Sequence, residues 1–207
     1  MASGVVETRD QAKVAMLGAM YGATTGESGR LLPKLARAYP RALGLTESAA
    51  RAGERGDIVT TRLGRSSPRP GASWLATQAQ AYDPSASDAD ERRARSQARD
   101  WGRFTRNFVV QGSAAEWALC WMAEVRRELW MLRGAEAHGR PEAFARAPHL
   151  VFFLHDEIIV HTPLALAGEV EQIITRAAAT AGRLLFGDFP VDFLLTAATV
   201  DSYAEAK

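Results

Sequence analysis

His149-Leu-Val-Phe-Phe-Leu-His-Asp-Glu-Ile-Ile-Val-His161 sets three polar residues between two apolar runs. Leu150–Leu154 and Ile158–Val160 read as two short strands of a hairpin. The polar centre, His155-Asp156-Glu157, then falls at its tip. Carboxylates among apolar strands are costly unless they are paired, hydrogen-bonded or metal-bound. Exposed carboxylates joined by substrate phosphates suit Mg²⁺. A plain polar turn accounts for the same residues. Along a strand, Asp156 and Glu157 point to opposite faces, so alone they do not make a carboxylate pair for two ions.

Working outward, residues 164–186 read as a helix and Val191–Ala197 as a closing strand. Before the hairpin lie a polar connection over 134–148 and a long amphipathic helix over about 113–133. A break is expected at Gln111-Gly112, and a charged helix over about 88–106 precedes it. Residues 65–87, with Ser, Pro and Gly, read as an irregular loop. The β-branched stretch 57–63 reads as a strand that Gly64 ends with a turn. Two short helices are expected at 46–54 and 28–38, with Pro40 opening the connection between them. The first helix covers about 7–22 and stops at the Gly22–Gly26 loop. This order of elements predicts an α+β fold with helices on an antiparallel sheet.

Two further constellations stand out. Arg9, Lys13, Leu17 and Tyr21 follow at four-residue steps, which makes one slowly drifting stripe on a helix. Two cations in the positive half of the helix dipole cost a little stability and make a seat for a polyphosphate. A solvated helix with incidental basic residues has the same pattern. Arg103, Asn107 and Gln111 repeat the spacing and run into Gly112-Ser113-Ala114-Ala115-Glu116. Such side chains reach DNA phosphates, sugars and minor-groove acceptors. A helix–turn–helix joint with Ser113 as N-cap is the structural alternative.

The bulk numbers fit one globular domain or a large piece of one: 207 residues, 47% hydrophobic and 24% charged. No apolar run approaches the roughly 18 residues of a membrane span, and the first ten residues do not read as a signal peptide. Both point to a cytoplasmic protein. A single cysteine, Cys120, cannot form an intramolecular disulfide. The net charge is +1, yet 22 of the 25 basic residues are arginine, the side chain suited to bidentate phosphate contact. His138, His149 and His161 show no compact ligand spacing with the acids at 156 and 157.

Taken in order, these motifs resemble the last third of family A DNA polymerases, the bacterial DNA polymerase I type. Arg9-x-x-x-Lys13-x-x-x-Leu17-x-x-x-Tyr21-Gly22 resembles motif B, the fingers helix. Val59-Thr60-Thr61-x-x-Gly64-Arg65 resembles the strand before the family's Gly-Arg turn. Arg103-x-x-x-Asn107-x-x-x-Gln111-Gly112-Ser113-Ala114-Ala115-Glu116 resembles the primer–template helix, and Leu154-His155-Asp156-Glu157 resembles motif C of the palm. The resemblance covers nearly the whole chain. It implies partial fingers helices in 1–56 and a palm portion in 57–207, packed on an antiparallel palm sheet.

The resemblance also implies roles. Arg9, Lys13, Leu17 and Tyr21 would bind the deoxynucleoside triphosphate. Arg65, Arg103, Asn107, Gln111 and His155 would contact primer–template DNA. Asp156 and Glu157 would be the catalytic acids, with Asp156 a ligand of Mg²⁺ in a two-metal site. The implied activity is template-directed addition of deoxynucleotides to a primer 3′ end, with no membrane partner.

Departures from the family pattern accompany these likenesses. Leu17 stands where an aromatic is usual, Ser66-Ser67 follows Arg65, and the Arg133–Pro148 connection is long. Motif A, the source of the second carboxylate, finds no match, so a polymerase segment upstream is the expected partner. The isolated chain is expected to be a poor polymerase. A DNA-binding remnant without chemistry is the alternative, and an unrelated metal hydrolase built on His155, Asp156 and Glu157 is a third reading.

Overall fold

The computed structural model describes residues 8–21, 26–132 and 147–206. The fold is mixed α+β and mostly helical, with one small antiparallel sheet of two strands. The expected polar connection at 134–148 lies almost wholly outside the described residues. The chain divides into two compact units, Met1–Ala114 and Ala115–Lys207.

In the first unit, α1 spans Arg9–Tyr21 and α2 spans Gly26–Ala38. Thr8 caps α1: its hydroxyl accepts the Gln11 N–H at 3.2 Å, which satisfies one of the helix's orphan donors. Ala15 of α1 packs against Leu31 and Leu35, one turn apart on α2. Helix α3 spans Pro40–Glu54. Pro40 therefore begins a helix and opens no connection, because a proline at the first helical position gives up an N–H that has no partner there anyway.

Residues 57–63 do not form a strand. Only an isolated bridge joins Thr60 to Ser66, and the chain turns back over Arg62–Gly64, with Gly64 at φ +89°. The segment is too short for a ladder: side chains take over part of the bonding, with Val59 N–H donating to Ser67 Oγ at 3.1 Å. The expected loop at 65–87 contains a helix, α4, over Ala72–Ala81. Ala-rich composition there outweighs the Ser, Pro and Gly that flank it. Trp74 on α4 donates to Gln97 O at 3.3 Å, and Gln78 donates to Ala94 O at 3.0 Å.

Helix α5 runs without interruption over Asp88–Leu132, 45 residues. The break expected at Gln111-Gly112 does not occur, and Ser113 is not an N-cap. Its hydroxyl donates back to Val109 O at 2.7 Å, a bond available to serine inside a helix. The start is capped by Ser87, whose Oγ accepts the Asp90 N–H while Asp90 accepts the Ser87 N–H at 3.0 Å. Against α3, the small residues allow close approach. A Cβ on Gly102 would stand 2.9 Å from Ala50 O, and Thr105, fully buried, donates to Ala49 O at 2.8 Å.

In the second unit, β1 (His149–Leu154) and β2 (Glu157–His161) form the antiparallel hairpin read from the sequence. Its turn is two residues, His155 and Asp156, and Glu157 already pairs with Leu154. A 3₁₀ turn, Leu164–Leu166, leads into α6, Ala167–Phe186. The core joins Trp121, Val125 and Leu129, four residues apart on α5, to Val170, Ile173, Ala177 and Ala181 of α6. Leu150, Ile158 and Val160 of the hairpin pack onto it. The expected strand at Val191–Ala197 is absent among the described residues. Phe193 and Leu195 alternate inward onto the core, but no third strand is in the sheet to pair with them.

Candidate functional site

The motif residues fall into both units, and each group is built by its own elements. On α1, Ala15 is fully buried while Lys13 and Leu17 face solvent, with Leu17 39% exposed. Arg9 and Tyr21 belong to the same helix and the same four-residue row; their side chains lie outside the described residues. The Lys13 ammonium makes no ion pair or hydrogen bond with another described residue, so it stands ready for an anion.

Arg65 leaves a tightly held turn. Thr61 N–H donates to Arg65 O at 2.9 Å, Gly64 N–H to Thr61 O at 3.0 Å, and Arg65 N–H to Thr61 Oγ1 at 3.0 Å. The Arg65 side chain is exposed, with no described residue bonded to it. Ser66 is exposed, but Ser67 is 5% exposed and closes the turn base through Val59. Its serine identity thus has a structural cause. The turn seats on α5 at Gly112, where an added Cβ would collide with Thr61 Cγ2. At about 100° per residue, Gln111, Asn107 and Arg103 lie about 100°, 140° and 180° around α5 from Gly112, so the turn seats on a different side of the helix from that row.

Along that row, Arg103 is exposed and paired with Asp100, while Gln111 is exposed. Asn107 is half-buried, and its side-chain oxygen is buried with no hydrogen-bond partner. The neighbouring Arg106, 10% exposed, binds Glu47 of α3 at 2.6 Å. Trp101, Phe104 and Phe108 form a ring ladder along the helix, with centroids 4.9 Å and 6.0 Å apart. Phe104 is 38% exposed, an aromatic beside the arginine row that motif reading passed over. A base can stack on such a ring.

The charge is partitioned. Residues 1–114 carry 17 basic and 11 acidic side chains, and residues 115–207 carry 8 and 13. A near-neutral total therefore conceals a cationic first unit (+6) and an anionic second unit (−5). Phosphate-binding candidates lie in the first, and the acids at 156 and 157 lie in the second.

At the hairpin tip, His155 has φ +61° and is the only described non-glycine residue with positive φ. A positive φ at the first central residue and not the second is the pattern of a type II′ turn, which favours glycine there. Strain of this kind is held at about 1–3 kcal/mol and gathers at functional positions. Asp156 is exposed at the second position, and its carboxylate meets no described donor. Glu157 differs: its carboxylate accepts the Tyr203 hydroxyl. That bond to Glu157, followed by the charge of the same carboxylate, raises the Tyr203 pKa above its ordinary value of 10.0.

Among the described residues no three His, Cys, Asp or Glu gather as a metal-binding group. Of the two acids at the tip, Asp156 has a carboxylate that no described residue engages, and Glu157 is engaged by Tyr203. A two-ion site needs at least two facing carboxylates, so these residues by themselves do not fit the magnesium pair that the motif C likeness implies. No family model matches the chain, and no curated protein matches it.

Proposed function

We propose that the chain is a fingers-and-palm portion of a family A DNA polymerase. It would hold primer–template DNA and an incoming deoxynucleoside triphosphate, and supply one of the two carboxylates used in template-directed nucleotide addition. The observation that carries the reading is the hairpin tip: Asp156, with a carboxylate free of described partners, follows a strained His155 between two apolar strands. The row Arg103, Asn107, Gln111 on α5, with Arg103 and Gln111 exposed, supports a nucleic-acid face, since arginine and amide side chains at such spacing meet phosphates and groove acceptors. Lys13 on the exposed side of α1, with Arg9 on the same row, supports the triphosphate seat.

The second reading is DNA binding without chemistry. The engagement of Glu157 by Tyr203 favours it, because it leaves Asp156 as the one unengaged acid of the tip pair. Fluorescence anisotropy on a labelled primer–template, at two salt concentrations, tests the common part of both readings. Binding should weaken steeply with salt, and Arg103→Ala should lower the log–log salt slope by about 1. No binding at low salt would overturn both. Single-nucleotide incorporation with Mg²⁺, compared with Asp156→Ala, then separates them. The chain alone should incorporate nothing; incorporation that vanishes in Asp156→Ala would mean the second carboxylate is already present.

A further inference from the structure

We propose that His149 and His161 form a binding site for a divalent transition ion that prefers imidazole ligands, with Zn²⁺ the foremost of the class. The pair lies at the open end of the hairpin, away from the turn that holds His155 and Asp156, and the inference does not depend on the polymerase reading.

The juxtaposition comes from one extra residue. From the tip, the register runs Leu154↔Glu157, Phe153↔Ile158 and Phe152↔Ile159, then shifts, so that Leu150 pairs with Val160 and His149 with His161. Val151 is the residue left over, a β-bulge. Without it His149 would face Thr162 and His161 would face Leu150. Bulges re-aim side chains, and this one sets two imidazoles directly opposite on one face of the ribbon.

The spacing suits an ion. A nitrogen ligand lies about 2.0–2.1 Å from Zn²⁺, which puts the ring centre roughly 3.2 Å from the metal; two rings at a tetrahedral angle then stand about 5.2 Å apart. The observed centroids are 5.3 Å apart, with the planes inclined at 59°. His149 Nδ1 is 2.9 Å from Ala147 O. A proton on Nδ1 donated to that carbonyl leaves the lone pair on Nε2, the tautomer that a backbone carbonyl fixes in metal-ligating histidines. His161 is exposed and His149 half-buried, so an ion arrives from solvent. No further His, Cys, Asp or Glu among the described residues completes a three-ligand group, and water would fill the remaining positions.

Isothermal titration of the 207-residue chain with ZnCl₂, in a buffer that does not bind metal, tests this. One ion per chain should bind, and binding should weaken at least tenfold in His149→Ala and in His161→Gln. His155→Ala and Cys120→Ser should bind as the unaltered chain does. Because His161 is exposed, His161→Gln reads the site even if His149→Ala fails to fold, which circular dichroism would reveal. No binding by the folded chain, or unchanged affinity in His161→Gln, overturns the proposal. So does a loss of binding in His155→Ala or Cys120→Ser that equals the loss in His161→Gln.

Discussion

At Gly112 a missing methyl group carries the contact between a turn and a helix. Ala would gain about 1 kcal/mol of helix propensity over Gly, but here its Cβ would enter the volume of the Thr61 methyl. Thr61 is 6% exposed and its hydroxyl is bonded to Arg65 N–H, so it has little room to yield. Overpacking of this kind costs about 1–3 kcal/mol, and the second effect wins. Gly112→Ala should lower stability by up to about 2 kcal/mol in urea unfolding followed by circular dichroism; an unchanged or raised midpoint would mean that the turn does not seat there. The same residue shows what a sequence conveys. Gln111-Gly112 looks like a helix break because glycine is a poor helix former, and nothing local reveals that a threonine fifty-one residues away needs the space. Ser67 and Thr105 are similar: each polar side chain is buried for a carbonyl or amide brought close only by folding.

Among the elements, α1, α2, α6 and the hairpin were legible because their signals are local: apolar residues one turn apart, and two apolar runs about a short polar turn; α4, the start of α3 and the continuity of α5 were not. The strands expected at 57–63 and 191–197 were not formed because a strand is defined by its partner. Phe193 and Leu195 do alternate inward, as a period of two demands, and the missing ingredient is a neighbour to bond. The pairing of His149 with His161 was hidden for another reason. Counting outward from the tip gives the wrong partner unless Val151 is known to bulge. The C-terminal 3₁₀ turn, Tyr203–Glu205, meets the hairpin through Tyr203, whose ring lies 6.4 Å from that of Phe152 and whose hydroxyl reaches Glu157. The raised Tyr203 pKa gives this contact a sign. Its contribution is complete below the ordinary tyrosine value of 10.0 and is lost as pH rises through the higher folded value. Tyrosinate absorbance near 295 nm should therefore show one tyrosine titrating late, and Tyr203→Phe should remove that late step. A titration curve of the variant with the same late step would disprove the contact.

For the whole molecule, composition alone conveys little, because a total of +1 averages a cationic unit and an anionic one. The division becomes visible only when Ala114 and Ala115 are known to separate two compact units. It has a consequence for how the protein behaves in solution. With almost no net charge there is little long-range repulsion to keep copies apart, while the positive unit of one copy attracts the negative unit of another. Screening removes that attraction: the Debye length falls from about 30 Å at 0.01 M salt to about 8 Å at 0.15 M. Near neutral pH the protein should thus be salted in. Static light scattering should give a negative second virial coefficient in dilute buffer that rises towards positive values as salt is added, and a coefficient that falls with added salt would contradict this. The same arrangement would let the chain bind both cation and anion exchangers at one pH, a behaviour that its isoelectric point would never suggest.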